Sequence, residues 1–251
     1  MAEGASEREG LEEPVRPAFY AARSGGWRDW WTLMHPPYTA WHLSYVVLGA
    51  CLAPRIRVDR LVATVLAFFL AVGLAAHALD EWNGRPLRTR IPSRWLVSTA
   101  VAGIGGAVAL GAIGVSRVGW TLIPFIVVGP LLVVAYNVDA TVIPKDLAFA
   151  AAWGAFPVLT AYVAQTARLS WGAVLVALGA FGLSVAQRSL STPARLLRRR
   201  TRDVQGLLTT NDGEVVGIDR AVLLAPLEKT LNALAASVVL LATGVALARL
   251  T

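Results

Sequence analysis

The stretch WLVSTAVAGIGGAVALGAIGV, residues 95–115, carries no charged side chain and is long enough to cross a lipid bilayer as a helix. Six further segments along the chain have the same apolar character. The predicted spans are residues 38–53, 61–79, 95–115, 120–136, 147–164, 171–186 and 231–247. We therefore predict an all-α, polytopic transmembrane bundle of about seven spanning helices.

The overall composition agrees with lipid as the solvent of this chain. Of its 251 residues, 56% are hydrophobic and 16% are charged, whereas a soluble domain carries about 25% charged residues. The net charge of +7 is typical of basic loops that face anionic lipid headgroups. No motif supports nucleic-acid binding. The single cysteine, Cys51, excludes an internal disulfide and a cysteine-based zinc cluster.

The distribution of the 23 basic residues predicts how the bundle sits in the membrane. With an odd number of spans and the N-terminus inside, most of them fall in cytoplasmic segments, as the positive-inside rule requires. The C-terminus is then predicted to lie outside. Arginine strongly outnumbers lysine, which is typical of GC-rich genomes, so we predict a prokaryotic plasma membrane as the location.

The two longest segments outside the predicted spans are the N-terminal one and the connection between the sixth and seventh spans. Residues 1–33 begin with an acidic, polar run that lacks the features of a signal peptide, and we predict a disordered cytoplasmic tail. Residues 34–251 form a single predicted transmembrane domain, with a long basic cytoplasmic connection at residues 188–229. In this connection we predict a basic surface helix starting near Pro193, followed by a turn at residues 211–213.

An acidic face ends the second predicted span. His77, Asp80 and Glu81 are spaced i, i+3 and i+4, so they share one side of a helix at its cytoplasmic end. Two carboxylates and an imidazole are suitable ligands for Mg²⁺ or another divalent ion. We predict His77, Asp80 and Glu81 as catalytic residues and the two carboxylates as metal ligands. The alternative is an interfacial helix end whose carboxylates pair with Arg85 and Arg88.

Polar and basic residues near the same membrane face are candidates for binding a substrate. The predicted set is Arg85, Arg88, Tyr136, Asn137, Lys145, Gln187, Arg198, Arg199 and Arg200. Guanidinium groups bind phosphate oxygens through paired hydrogen bonds, so the triplet 198–200 could neutralise a diphosphate without a second metal. The favoured alternative is a polybasic segment that contacts anionic membrane lipid. Gln187 could equally serve an interhelical hydrogen bond.

Three stretches resemble one family of membrane enzymes. RPLRTRIPS at residues 85–93, HPPYTAWHLSYVVLGACLAP at 35–54 and WGAFPVLTAY at 153–162 are similar to segments of the UbiA-type intramembrane prenyltransferases. The resemblance covers roughly residues 34–187. It implies an all-helical fold, usually with nine spans, and transfer of a prenyl group from a Mg²⁺-bound prenyl diphosphate to an aromatic or other lipid-soluble acceptor.

The first aspartate motif of that family is incomplete in this chain. The family pattern is Asn-Asp, two residues, Asp, three residues, Asp. With His77 at the Asn position, Ala78 and Arg85 stand where the first and third aspartates belong, and Glu81 replaces the second. Aligning the Arg-Pro-Leu runs instead brings Asp80 and Glu81 near the acidic cluster. Both alignments remain open, and each leaves at least one acidic ligand missing.

The second aspartate motif of the family follows the sixth span. Here that place holds Gln187, Arg188 and the triplet 198–200, with Asp203 as the acidic residue. The resemblance therefore implies a divergent, shortened member that handles a prenyl diphosphate or other isoprenoid lipid and a lipophilic acceptor, with Mg²⁺ as the candidate cofactor. The alternative is a non-catalytic homologue that binds lipid, acts as a transporter or serves as a membrane partner protein.

Overall fold

The computed structural model of the chain describes residues 16–138 and 143–251. The helices are α1 (Trp27–Leu33), α2 (Pro36–Cys51), α3 (Val58–Trp82), α4 (Ser93–Val118), α5 (Trp120–Asn137), α6 (Lys145–Thr166), α7 (Trp171–Arg199) and α8 (Arg220–Leu250). A short antiparallel hairpin of β1 (Gly206–Thr209) and β2 (Val215–Ile218) separates α7 from α8.

Within the described ranges, six helices, α3 to α8, are long and apolar enough to cross a membrane. The chain is thus a helical integral membrane protein, as predicted. The first predicted span is α2, whose 16 residues make a helix of about 24 Å. Its first end lies by His77 of α3, because the His35 and His77 rings are 4.1 Å apart. Its last end lies by Arg249 of α8, which donates a hydrogen bond to the Ala53 carbonyl. A seventh crossing by α2 remains a prediction.

The helix α2 forms the centre of the bundle. Trp41 and Tyr45 are fully buried and pack with Val158 of α6 and with small residues of α7 and α8. Gly49 lies so close to α6 that a side-chain carbon there would be 2.3 Å from the Val158 carbonyl oxygen. Such close helix contacts, made through small residues, are typical of bundles in lipid, where packing rather than the hydrophobic effect holds helices together.

The helix α7 is longer than predicted. It continues without a break through Pro193 to Arg199, so the predicted separate surface helix starting near Pro193 is wrong. The reason is an apolar stripe on this extension: Ala194 packs against Leu224 and Leu231 of α8. Tertiary packing of this kind outweighs the cost of a proline in a helix.

The long basic connection is correspondingly shorter. Because α8 begins at Arg220, where the Asp219 side chain accepts a hydrogen bond from the Val222 amide, the predicted connection at 188–229 reduces to residues 200–219. The predicted turn at 211–213 lies at the tip of the hairpin, and Gly213 adopts a positive φ of 89°. The two four-residue strands are an addition to the predicted helical bundle.

The prediction of a disordered tail at 1–33 is wrong for residues 16–33. Ala21 is buried, and α1 packs on the loop that follows α3, with Asp29 accepting a hydrogen bond from the Arg90 amide at 3.0 Å. The Ala22 amide donates to the Thr32 hydroxyl at 3.0 Å. Residues 1–15 of the predicted tail lie outside the described residues.

The ends of the described chain lie at opposite ends of the bundle, which gives a test of topology. In a Cys51→Ala background, we expect Ser24→Cys to react with a membrane-impermeant thiol reagent only from the cytoplasm. Thr251→Cys should react only from outside, because both positions are exposed. Labelling of both cysteines from one side would contradict an odd number of crossings.

Candidate functional site

A polar pocket of about 410 Å³ lies at the end of the bundle where α3, α5 and α7 end and α6 begins. Nine predicted site residues line it: His77, Asp80, Tyr136, Asn137, Lys145, Gln187, Arg198, Arg199 and Arg200. The pocket is also lined by residues outside the predicted set, among them the polar and basic side chains of His35, Tyr38, His42, Arg188 and Arg195. Residues far apart in the sequence therefore converge on one cavity.

Glu81 has a different position from its neighbour Asp80. It is fully buried, and its carboxylate holds the loop after α3. One oxygen accepts hydrogen bonds from the amide and hydroxyl of Thr89, both at 2.8 Å, and the other accepts from the Leu87 amide at 2.9 Å. Adjacent residues of a helix point about 100° apart. Asp80 therefore lines the pocket while Glu81 anchors the loop.

Two predicted substrate-binding arginines also belong to this loop. Arg85 donates to the backbone carbonyls of Thr89 and Ile91 and, at 2.9 Å, to the Ser93 hydroxyl. Arg88 is exposed on the loop, and both arginines adopt positive φ angles, of 53° and 55°. Neither residue lines the polar pocket, so the structure does not bring them together with Asp80.

Positive charge dominates the polar pocket. Of its six basic lining residues, Arg198 forms a bidentate ion pair with Glu228, and Arg188 pairs with Asp146 at 2.7 Å. In the described chain, two carboxylates line the pocket, those of Glu228 and Asp80. Arg195 and Arg199 line the same pocket as Asp80. The pocket is therefore suited to an anionic group.

The histidines of the pocket are hydrogen-bonded to the backbone. The Nδ1 atom of His35 lies 2.9 Å from the Leu33 carbonyl oxygen, and that of His77 lies 3.2 Å from the Gly73 carbonyl oxygen. Because a carbonyl only accepts, Nδ1 carries the proton in each ring, and in the neutral form of the ring Nε2 is an acceptor. Burial lowers the pKa of His35 well below its usual value, and the neighbouring His77 acts in the same direction. His35 is therefore neutral at neutral pH.

Residues 16–22, which we call the N-terminal strap, cover one side of the pocket. Arg199 donates through Nε to the Pro17 carbonyl at 3.0 Å, and Phe19 and Tyr20 make edge-on contacts with Tyr38. Burial raises the pKa of Tyr20 well above its usual range, so the phenol stays protonated. The strap thus connects the N-terminal segment to the basic end of α7.

An apolar groove of about 280 Å³ lies between α3, α4, α5 and α6. Phe68, Ile104, Val133 and Phe156 are among its lining residues. Trp153 lines both the groove and the polar pocket, so the two cavities adjoin at this indole. The structure thus places a charged cavity next to an apolar one.

The helices beside this junction are locally distorted. Residues Phe69–Ala76 of α3 and Ala150–Ala155 of α6 form π-helical segments. Such segments are rare and occur frequently at functional sites, because the extra residue in each turn changes the direction of the side chains that follow. Here they position His77 and Trp153. The apolar sequence of these helices gave no indication of the distortion.

The side chains at this end of the bundle can be compared with the ligands that the predicted Mg²⁺ site requires. Within residues 16–138 and 143–251, no group of three or more His, Cys, Asp or Glu side chains is arranged to hold a metal ion. Glu81 uses both carboxylate oxygens on the loop, and Glu228 is engaged by Arg198. The described side chains therefore do not fit a cluster built on paired aspartate motifs.

Gln187 is buried with its Oε1 atom unpartnered among the described residues, and it lines the polar pocket. A buried acceptor without a donor costs about 1–3 kcal/mol. A bound molecule with a hydroxyl group would supply that donor.

Comparisons with protein-family models, with curated proteins and with solved structures find no match to this chain.

The position of Glu81 gives a stability prediction. Glu81→Ala should lower the free energy of unfolding by about 3 kcal/mol, because three donors lose a charged acceptor in a buried site. The matched variant Asp80→Ala, next to it on the same helix, should cost less than about 1 kcal/mol. Denaturant unfolding of the purified proteins in detergent measures both. Equal losses would show that the hydrogen bonds of Glu81 do not hold the loop.

Proposed function

We propose that this protein is an intramembrane prenyltransferase of the UbiA type, which binds a prenyl diphosphate with its head in the polar pocket and its tail in the apolar groove. The observation that carries this proposal is the position of Trp153, which lines both cavities. A molecule that fills both needs an anionic end and an apolar chain. A prenyl diphosphate has this form, and the resemblance of residues 34–187 to the UbiA family supports the same assignment.

The chemistry of prenyl transfer suits these surroundings. The bond between C1 of the prenyl chain and the bridging oxygen breaks, and its electron pair leaves with the diphosphate. The acceptor supplies the electron pair for the new bond to C1 and then loses a proton. Fixed positive charges stabilise the departing diphosphate. The apolar walls around Trp153 keep water from the allylic cation.

Two pocket residues have roles in this proposal beyond charge. His77 has an unprotonated Nε2 and takes the proton that the acceptor loses. Gln187 accepts a hydrogen bond from a hydroxyl of the acceptor, which satisfies its unpartnered Oε1. Anionic membrane lipid is proposed as the partner of Arg200, which is exposed at the end of α7.

A second candidate function follows from the acidic residues. Because Glu81 is committed to the loop after α3, Asp80 stands alone as the pocket carboxylate outside the Arg198–Glu228 ion pair in the described chain. A non-catalytic homologue, which binds a phosphorylated isoprenoid without transferring it, has the same cavities. The two functions differ in turnover. An enzyme releases diphosphate in the presence of acceptor, and a binding protein returns the ligand intact.

Filling the groove tests the placement of the tail. Ala107 lines the groove, whereas Ala109 on the same helix is exposed and does not. In nanodiscs with Mg²⁺ present, Ala107→Trp should weaken binding of tritiated geranylgeranyl diphosphate about tenfold or more, because its chain loses apolar burial. Dimethylallyl diphosphate, with one isoprene unit, should bind both forms alike.

The matched variant Ala109→Trp is the control, and its affinity should equal that of the unmodified protein. Equal binding of geranylgeranyl diphosphate to both tryptophan variants would remove the groove from the proposal. Absence of binding to the unmodified protein would reject the function itself. Release of diphosphate in the presence of membrane extract, measured in parallel, separates the enzyme from the binding protein.

A further inference from the structure

Basic residues of α7 form a stripe that faces the polar pocket. Arg188, Arg195 and Arg199 are spaced i, i+7 and i+11, which places them on one side of a helix. All three line the pocket. This stripe occupies the region where the resemblance to the UbiA family leads one to expect acidic metal ligands.

Arg195 is the cation of this stripe that is least satisfied by the protein. Its side chain is partly buried, and within the described chain its guanidinium donates a hydrogen bond to the Thr192 hydroxyl on its own helix at 3.3 Å. Arg188, by contrast, is paired with Asp146, and Arg199 donates Nε to the strap. A guanidinium has five donors in a planar fork that matches phosphate oxygens. Arg195 therefore presents unused donors to the pocket.

We infer that the pocket holds the phosphate-bearing head of its isoprenoid ligand directly through guanidinium groups, with Arg195 as the main contact and Arg199 as the second, and that this binding needs no divalent cation. The inference rests on the proposed function, because it specifies how the same pocket recognises its ligand. The ligand class is a phosphate or diphosphate monoester with one apolar chain.

Electrostatics favour this arrangement over a metal cluster. In the family that this chain resembles, metal ions neutralise the diphosphate, and carboxylates hold the metal ions. Here Lys145, Arg195, Arg199 and Arg200 line the pocket and already supply positive charge. A divalent cation placed among them would be repelled, whereas a phosphate oxygen would form charge-assisted hydrogen bonds. Asp80, Arg195 and Arg199 line the same pocket.

Binding with and without divalent cations tests the inference on the full chain. The protein is placed in nanodiscs of zwitterionic lipid, and tritiated geranylgeranyl diphosphate is titrated in EDTA and again in Mg²⁺. We expect the two dissociation constants to agree within about threefold. The binding free energy that corresponds to a threefold difference is less than half of the free energy of one charged hydrogen bond. Geranylgeranyl monophosphate should compete for the site, and geranylgeraniol should not.

Substitutions identify the contact. Arg195→Ala should weaken binding about tenfold or more in EDTA, because a charged hydrogen bond is lost. Arg195→Lys should recover little of the affinity, since the planar fork is absent. Arg168→Ala is the matched control, an exposed arginine in the turn that precedes α7, at the other end of the bundle, and it should bind like the unmodified protein. Thermal unfolding of each variant, together with the more conservative Arg195→Gln, separates a lost contact from a misfolded protein.

Four outcomes overturn the inference. Loss of binding in EDTA with recovery in Mg²⁺ would show that a metal holds the head group, and the proposed function would survive. Normal affinity of Arg195→Ala would remove this residue from the contact. Competition by phosphatidic acid as strong as that of the monophosphate would assign the site to phospholipid headgroups instead. No binding in either buffer would reject the proposed function together with the inference.

Discussion

The hydrogen bonds of the buried Glu81 carboxylate determine the structure of the pocket end of the bundle. They fix the backbone of Leu87 and Thr89, and so they set the course of the loop between α3 and α4. The next residue, Arg90, donates its amide to Asp29 of α1. Through this chain of contacts one carboxylate positions α1 and the N-terminal strap beside it. A buried carboxylate is tolerated here because three donors compensate it.

At the same end of the molecule, a loop and a strap held by hydrogen bonds surround an open cavity. Loop and strap are held by side chains that bond to backbone groups, which leaves the side chains of α3, α6 and α7 to line the cavity. The π-helical segments add to this effect, because one ends just before His77 and the other contains Trp153, and both residues line the pocket. Trp153 is fixed by stacking on Phe149, with the two rings nearly parallel. The junction between charged and apolar space is therefore well defined.

The sequence was sufficient to predict the six long apolar helices and to place most of the candidate site residues at one end of the bundle. Continuous apolar runs identify helices in lipid, because every backbone group must be bonded within its own segment. It was insufficient where two neighbours have different roles. Asp80 and Glu81 look alike in the chain, and only the loop at Thr89 distinguishes them. In the sequence, the available signal was the rotation of about 100° between neighbouring residues of a helix, which points their side chains in different directions.

Arg195 was missed for a related reason. It was placed in a surface helix detached from the sixth span, although its spacing of seven residues from Arg188 is typical of one continuous helix face. The packing of Ala194 on α8, which joins the two segments, depends on contacts between distant residues. The hairpin was missed because four-residue strands give little periodicity to detect. The short apolar run of β1 differs little from the helices beside it.

For a ligand of the proposed kind, the strap and the groove together determine the route to the site. The strap covers the pocket where Arg199 bonds to Pro17, whereas the groove is bordered by the exposed side chains of Val108 and Ile113. For a molecule of the proposed kind, lateral diffusion within the bilayer is the direct path. The quantity that governs occupancy is then the mole fraction of ligand in the membrane. The degree of saturation would follow the lipid composition of the cell, independently of the volume of its cytoplasm.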